Sequence, residues 1–359
     1  MSRPRRIGLI VFLAFVAGIA WLGVLLALPY RAFPSEGIDV EIPAGATVRS
    51  VARTLEQKGV VRSAIAFEIL CRLRGIHPQA GEYRFHEAAS SVAVLHRLAA
   101  GDVVYHVVLV PEGSTMFQIA DRMADAGLAT REEFLAAARD ASLVHDLAPE
   151  AANLEGFLFP ARYEFPRSVT AQEIVRAMVR RFRQVWHSLR EAEDANPHRL
   201  STLELVTLAS LVERETGAEN ERGLIAGVFY NRLQKGFPLQ CDPTVIYALE
   251  LAGKYRGQLL LRDLRFDSPY NTYRHRGLPP GPIANPGEAA LRAALFPPET
   301  DYFYFVSDAQ GGHFFSKTLR DHNANVARYR KLLAENQQTV EKQEASGSHA
   351  GRNPEDETP

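Results

Sequence analysis

Residues 201–216 read Ser201-Thr-Leu-Glu-Leu-Val-Thr-Leu-Ala-Ser-Leu-Val-Glu-Arg-Glu-Thr216. Ser201 and Glu204 have capping-box spacing and Gly217 supplies a stop, so the stretch predicts one helix. Leu203, Leu205, Val206, Leu208, Ala209, Leu211 and Val212 leave it almost no polar face, which places it inside a domain core. Its last turn nevertheless carries Glu213 and Glu215. At about 100° per residue, Glu213 falls between Val206 and Ala209, and Glu215 between Leu208 and Leu211. Desolvation and the negative end of the helix dipole both disfavour a carboxylate there, so both raise the pKa. A carboxylic acid that keeps its proton near neutral pH suits a general acid for glycosidic cleavage. The plainer alternative pairs Arg214 or Arg222 with one of these glutamates, and neither then does chemistry.

Around this helix, residues 149–334 predict a mainly helical unit that begins at a junction over Ala148 to Asn153. Asn220 is a candidate cap for the next helix, which carries Arg232 and Lys235 before Gly236. Asp242-Pro243 reads as an N-cap followed by proline at N1, and Asn285-Pro286 repeats the pattern. Between them, Ser268 to Gly287 is a long loop rich in Pro and Gly. Tyr302 to Val306 and His313 to Ser316, joined through Gly311-Gly312, predict a β-hairpin. Asp242, Tyr270, Asn271, Tyr273, His275 and His313 lie on these loops and turns. Tyr and Asn there offer stacking surfaces and hydrogen bonds to a sugar chain, although a lone loop tyrosine more often packs than recognises.

Upstream, residues 40–70 and 108–138 repeat a pattern. Ile42, Pro43, Gly45, Thr47, Val51, Ala52 and Gly59 recur as Val110, Pro111, Gly113, Thr115, Ile119, Ala120 and Gly127. Each copy predicts a short strand, a Pro-x-Gly turn and a helix starting at a threonine cap, with Gly81 to Phe85 and Ser91 to Leu98 adding a strand and a helix between them. The expectation is a compact α+β module over 38–148. Ile7 to Leu28 contains no charged side chain and is long enough to span a bilayer. With Arg3, Arg5 and Arg6 before it and Arg31 alone just after, residues 1–6 are expected in the cytoplasm and the bulk of the chain outside. In a bacterium that outside is the periplasm or wall zone. Residues 335–359 are polar and predict a disordered tail.

Composition removes other classes. Lys plus Arg number 41 and Asp plus Glu 42, so no broad basic surface for nucleic acid is available. Two cysteines, Cys71 and Cys241, cannot build a disulfide scaffold or a four-cysteine zinc site; outside the cytoplasm they could pair, but they fall in different expected domains, which favours free buried thiols. H-E-x-x-H, G-x-S-x-G and phosphate-loop motifs are absent.

Six ordered motifs carry a resemblance: Leu211-Val-Glu-Arg-Glu-Thr216, Leu239-Gln-Cys-Asp-Pro-Thr-Val-Ile-Tyr247, Tyr270-Asn-Thr-Tyr273, Gly277-Leu-Pro-Pro-Gly-Pro-Ile283, Asn285-Pro-Gly287 and Gly311-Gly-His-Phe-Phe-Ser316. They resemble the YceG-like endolytic murein transglycosylases. The resemblance implies an α+β protein with a single transmembrane helix, a LysM-like module and a catalytic domain. It implies a bacterial inner-membrane enzyme that cuts nascent peptidoglycan strands between N-acetylmuramic acid and N-acetylglucosamine, leaves a 1,6-anhydro end and ends strand growth, with no cofactor or metal. The family's catalytic glutamate corresponds to Glu213, and the motifs add Gln240, Asp242, Tyr270, Asn271, Thr272, Tyr273 and His313 as substrate-binding residues. Partners implied are glycan strands, the membrane and cell-wall synthases. In relatives Asp-Thr follows the proline where Ala161-Arg162 stand here, which puts substrate contacts near Tyr163 in question. Competing readings are a muramidase in which Asp242 or Glu219 activates water, and a wall-binding scaffold without catalysis.

Overall fold

The computed structural model describes residues 3–192 and 200–349. The fold mixes helices with two-stranded sheets, as the α+β expectation requires. Two compact units are present. One is built from the chain up to Val108 with Met123–Thr130 and Arg162–Ile174; the other comprises Leu109–Arg122, Arg131–Ala161 and the chain from Val175 onward. This division differs from the expected boundary near Ala148. The reason lies in the second repeat: its strand β3 (Tyr105–Leu109) pairs with β4 (Arg162–Pro166), while the Pro111-Glu112-Gly113 turn that follows belongs to the second unit.

In the first unit, α1 (Arg3–Ala27) contains a stretch, Leu9–Ala27, with mean hydropathy 2.8, long and apolar enough to cross a membrane. Most of its large apolar side chains are exposed, which suits a lipid surrounding, while Leu26 near its end packs on the core of this unit. β1 (Ile38–Ile42) and β2 (Gly81–Phe85) pair antiparallel with Val40 opposite Tyr83. Alternation turns Val40, Ile42, Tyr83 and Phe85 inward onto Leu55, Phe67, Leu95 and Leu98. Those residues come from α2 (Val48–Gln57), α3 (Ala64–Arg74) and α4 (Ser91–Ala100), capped by Thr47, Ser63 and Ser90. Gly59 follows α2 with φ of 72°, in the left-handed region expected of a residue just past a helix end.

The second unit is built around α8 (Thr202–Glu215), which closes its N-terminus with the full Ser201–Glu204 capping box and buries every residue from Leu205 to Val212. Helices α9 (Arg222–Gln234), α10 (Asp242–Leu251) and α11 (Glu288–Leu295) pack around it. The unit also holds the first half of α5 (Met116–Asp125), α6 (Arg131–Ala138) and most of α7 (Ala171–Ala192). α7 is amphipathic and buries Met178, Phe182, Val185, Trp186 and Leu189. The hairpin is present, β5 (Tyr304–Ser307) pairing antiparallel with β6 (His313–Ser316). At α5 the capping box is also complete, with Gln118 accepting from the Thr115 N–H and Thr115 accepting in return.

Some local expectations shift. Cys241, not Asp242, is the N-cap of α10, and Asp242 is its first residue. Gly287 caps α11, because the Asn285 side chain is used in the interior instead. Glu221 stands at the cap of α9 in place of Asn220, without a side-chain cap bond. The expected tail is helical as far as His349 within α12 (Leu319–His349). Low apolar content pointed to disorder, but the Ala, Glu, Gln and Lys that fill residues 334–345 are strong helix formers, and no Gly or Pro interrupts them. Residues 350–359 of that tail lie outside the described residues.

Gly156 is fixed by geometry on two counts. Its φ is 87°, and a Cβ there would stand 2.5 Å from Pro282 and 2.8 Å from Val206. Gly156→Ala is therefore expected to destabilise the second unit by about 2 kcal/mol or more. Urea unfolding measures it, and a loss under about 0.5 kcal/mol would contradict the stated packing.

Candidate active site

The C-terminal turn of α8 delivers two carboxyls in different directions. Glu213 is nearly covered, its side chain 6% exposed. Its Oε2 accepts the Gly287 backbone N–H at 3.0 Å, and its Oε1 lies 3.7 Å from Nη2 of Arg222, too far for a direct hydrogen bond. Nε of Arg222 is buried and has no hydrogen-bond partner among the described residues. Arg214 points elsewhere and donates to the Gly113 carbonyl at 3.2 Å. The anticipated pairing with an arginine thus exists only as a loose contact with Arg222. Burial raises the Glu213 pKa most; the Gly287 N–H and Arg222 oppose it, while the charge of Glu112 adds to it.

Glu112 was not singled out from the sequence. It sits in the turn between Pro111 and Gly113, exposed, and its carboxylate fills the space beside Gly287. A Cβ on Gly287 would come within 1.9 Å of Glu112 Oε1. The backbone of Gly287, φ −77° and ψ 175°, is open to any residue, so that space and not conformation demands glycine.

Behind these groups lies a buried polar network that sequence reading also missed. Glu155 is 1% exposed and accepts from the Met116 N–H at 3.0 Å, Asn285 Nδ2 at 2.7 Å and the Tyr247 hydroxyl at 3.0 Å. Burial outweighs these donors and pushes its carboxyl up to about 8. Asn285 is fully buried. Its Oδ1 accepts from Leu158 N–H, its Nδ2 also donates to the Ser114 carbonyl, and its backbone exchanges bonds with Gly113 and Ser114.

Of the expected substrate-binding set, Asp242, Tyr273 and His313 gather around Glu215 instead. That half-buried carboxyl is pushed up to about 7 by burial, helped by Asp242 and opposed by its hydrogen bond with the Cys241 thiol and by the charges of His313 and Arg232. Asp242 Oδ1 accepts the Tyr273 hydroxyl at 2.5 Å. His313 Nδ1 lies 2.7 Å from Glu221 Oε2. Gln240 is exposed and holds a left-handed φ of 52° between buried Leu239 and Cys241, a strained conformation of the kind found beside functional sites. Tyr270 stands apart from this group, its ring 5.2 Å from that of Tyr247. Asn271 and Thr272 require correction as ligand contacts. Both are buried; Asn271 donates to Leu264 and Phe266 carbonyls and accepts from Tyr273, and Thr272 Oγ1 accepts the Cys241 N–H and bonds Thr244. Their polar atoms shape the loop. Cys71 and Cys241 are free and buried, in separate units. Among the described residues no group of His, Cys, Asp and Glu could hold a metal ion.

Residues 40–328 match the profile of the YceG-like family. The chain belongs to that family. It is 35% identical over 331 residues to the endolytic murein transglycosylase of Bacillus subtilis (strain 168), covering 88% of this chain and 91% of that one. Against the endolytic murein transglycosylase of Streptococcus pneumoniae (strain D39) identity is 30%, covering 90% of this chain and 64% of the relative. The crystal structure of a YceG-like protein from Listeria monocytogenes shares 34% identity, with a TM-score of 0.55, over 81% of this chain and 99% of that one.

In this YceG-like chain Ala161 and Arg162 have modest local roles. The Ala161 carbonyl accepts the Val110 N–H, and Arg162 makes an exposed ion pair with Glu164 at 3.0 Å. The Glu155 network yields a stability prediction. The folded state holds that proton up to about 8, whereas an unfolded chain releases it near 4.5. Stability from the protonated carboxyl is therefore intact below about 4.5 and lost as pH rises through about 8. Glu155→Gln keeps a carbonyl to accept from Met116 and Asn285 and reverses the Tyr247 contact, its amide now donating to that hydroxyl, and is expected to cost about 1 kcal/mol or less while weakening this pH dependence. Glu155→Ala strands the Met116 and Asn285 donors and is expected to cost about 3 kcal/mol or more. Urea titrations at pH 5 and pH 8 distinguish these; equal losses in the two variants would refute a protonated Glu155.

Proposed function

We propose that this chain is an endolytic murein transglycosylase with Glu213 as its acid. The observation that carries the reading is a desolvated carboxyl of raised pKa at the end of a buried helix, held by one backbone N–H. Relatives bearing that activity in their names, aligned over most of this chain, support it. Glu213 protonates the oxygen between N-acetylmuramic acid and N-acetylglucosamine as the bond to C1 breaks. The muramoyl O6 hydroxyl then forms the new bond to C1 and gives its proton to the Glu213 carboxylate, which restores the acid and leaves a 1,6-anhydro end. Gln240, Asp242, Tyr273 and His313 bind the strand, and Tyr270 supports it through Tyr247.

In the same reading α1 anchors the protein in the bacterial inner membrane with its N-terminus in the cytoplasm, because Arg3, Arg5 and Arg6 precede the span. The first unit then serves as a LysM-like glycan-positioning module; a cavity of about 290 Å³ at its Pro43-Ala44-Gly45 turn offers room for a sugar. Cutting strands as synthases extend them would end their growth. The second reading is a two-carboxylate muramidase in which Asp242 or Glu219 activates water.

Mass spectrometry of products from isolated glycan strands, using the full chain in detergent, separates the two. Anhydromuropeptides are expected; reducing ends alone would establish hydrolysis instead. Glu213→Gln is expected to lower turnover by about 100-fold or more with unchanged melting. Because the acid must be protonated, activity is expected to decline on the alkaline side as Glu213 ionises. Retained activity in Glu213→Gln, or an equal loss in Glu215→Gln with normal melting, would overturn the assignment.

A further inference from the structure

The geometry points to Glu112 as a positioning residue for Glu213: across Gly287, it sets a second carboxylate beside the acid and opposes Arg222. This rests on the transglycosylase reading of Glu213, and it concerns a group that no sequence motif brought forward. The two carboxyls share one small residue. Glu213 takes the N–H of Gly287, and Glu112 occupies the volume where any other residue would carry its Cβ.

The charged groups facing Glu213 come from four places. The turn after β3 presents Glu112; the start of α9 presents Arg222. The segment entering α11 presents the Gly287 N–H. On α8 itself, Arg214 is turned to the Gly113 carbonyl and Glu215 to Cys241. Arg222 favours the anion of Glu213, and Glu112 favours the acid. Without Glu112, Arg222 is the nearest charge left, and Glu213 gives up its proton more readily. Burial still raises Glu213 most, and Glu112 adds to it against the pull of Arg222, so an acid that must give a proton to a bridging oxygen and take one back from a hydroxyl keeps it to higher pH.

The position of Glu112 is enforced, which separates it from a passing surface carboxylate. Gly113, with φ of 72°, has its N–H bonded to the Asn285 carbonyl at 2.9 Å. A Cβ on Gly113 would meet Glu213 Cγ at 3.5 Å, so the turn lies directly against the acid. Glu112 thus stands on a backbone held at Gly113 by Asn285 and at Val110, whose N–H donates to the Ala161 carbonyl at 3.0 Å.

The test reads the proton on Glu213 without relying on turnover. Full-length protein in detergent is labelled with a diazo reagent that esterifies protonated carboxyls, across pH 4 to 9, and the Glu213 peptide is quantified by mass spectrometry. In Glu112→Gln the midpoint of Glu213 labelling is expected about half a pH unit or more below wild type. Gly287→Ala is expected to move it the same way, because its Cβ displaces the Glu112 carboxylate and leaves the N–H in place. Combined with Glu112→Gln, Gly287→Ala is expected to add little further shift. On glycan strands, the alkaline limb of activity is expected to move by the same amount. An unchanged or raised midpoint in folded Glu112→Gln overturns the inference, whether or not the protein cleaves glycan. Failure of the wild-type chain to cleave glycan strands, with a lowered midpoint in Glu112→Gln, overturns the transglycosylase reading and leaves the coupling of the two carboxyls standing.

Discussion

The site depends on one buried amide. Asn285 joins three pieces of backbone far apart in sequence: Ser114 in the turn before α5, Leu158 beyond the Glu155 turn, and the approach to α11. Every bond it makes lies away from water, so each missing partner would carry a full desolvation penalty. The segment therefore cannot slide against its neighbours without breaking several bonds together. Gly287 follows two residues later, and its N–H is consequently fixed where Glu213 meets it. Ser210 completes the tie by accepting the Ile283 N–H at 3.0 Å, which fastens the same segment to α8.

On that frame the charge balance at Glu213 becomes a matter of position more than of residue type. Burial alone would favour a neutral acid, and Arg222 alone would favour the anion. Arg222 stops short of a bidentate clasp, at 3.7 Å, with its Nε unpartnered among the described residues. A guanidinium one ångström closer would form a charge-assisted bond and hold the carboxylate ionised. Glu215, two residues on, shows the contrast: it is engaged by a thiol and surrounded by Asp242, His313 and Arg232, so its charge is shared among several groups.

The sequence carried a good deal of this because its signals were local. The Ser201 capping box, the apolar run through Val212, the Thr47 and Thr115 caps and the Gly311-Gly312 hairpin all depend on spacing within a few residues, and all are present in the fold. What escaped depends on distance along the chain. Glu155 is one acid in a turn until Tyr247 and Asn285 come to it from 92 and 130 residues away. Asn285 followed by proline reads as a helix cap, and that local use gives way because its amide satisfies buried partners. Asn271 and Thr272 sit in a motif that suggests ligand contact, yet the loop between α10 and α11 folds back on itself and uses their polar atoms internally. β4 went unseen because five residues, Arg162 to Pro166, carry little strand signal until β3 lies beside them.

The repeat offers the one local clue that was present and went unread. Its two copies agree at the proline, the glycine and the threonine cap, so the turn geometry is the same device used twice. They differ at the residue between proline and glycine, which is Ala44 in the first copy and Glu112 in the second. A turn needs no carboxylate there, since the alanine copy folds with the same cap and the same left-handed glycine. The glutamate is thus surplus to the fold of its own repeat, and its surroundings explain it: Gly287 lacks a side chain where the carboxylate lies, and Glu213 stands on the other side of that glycine.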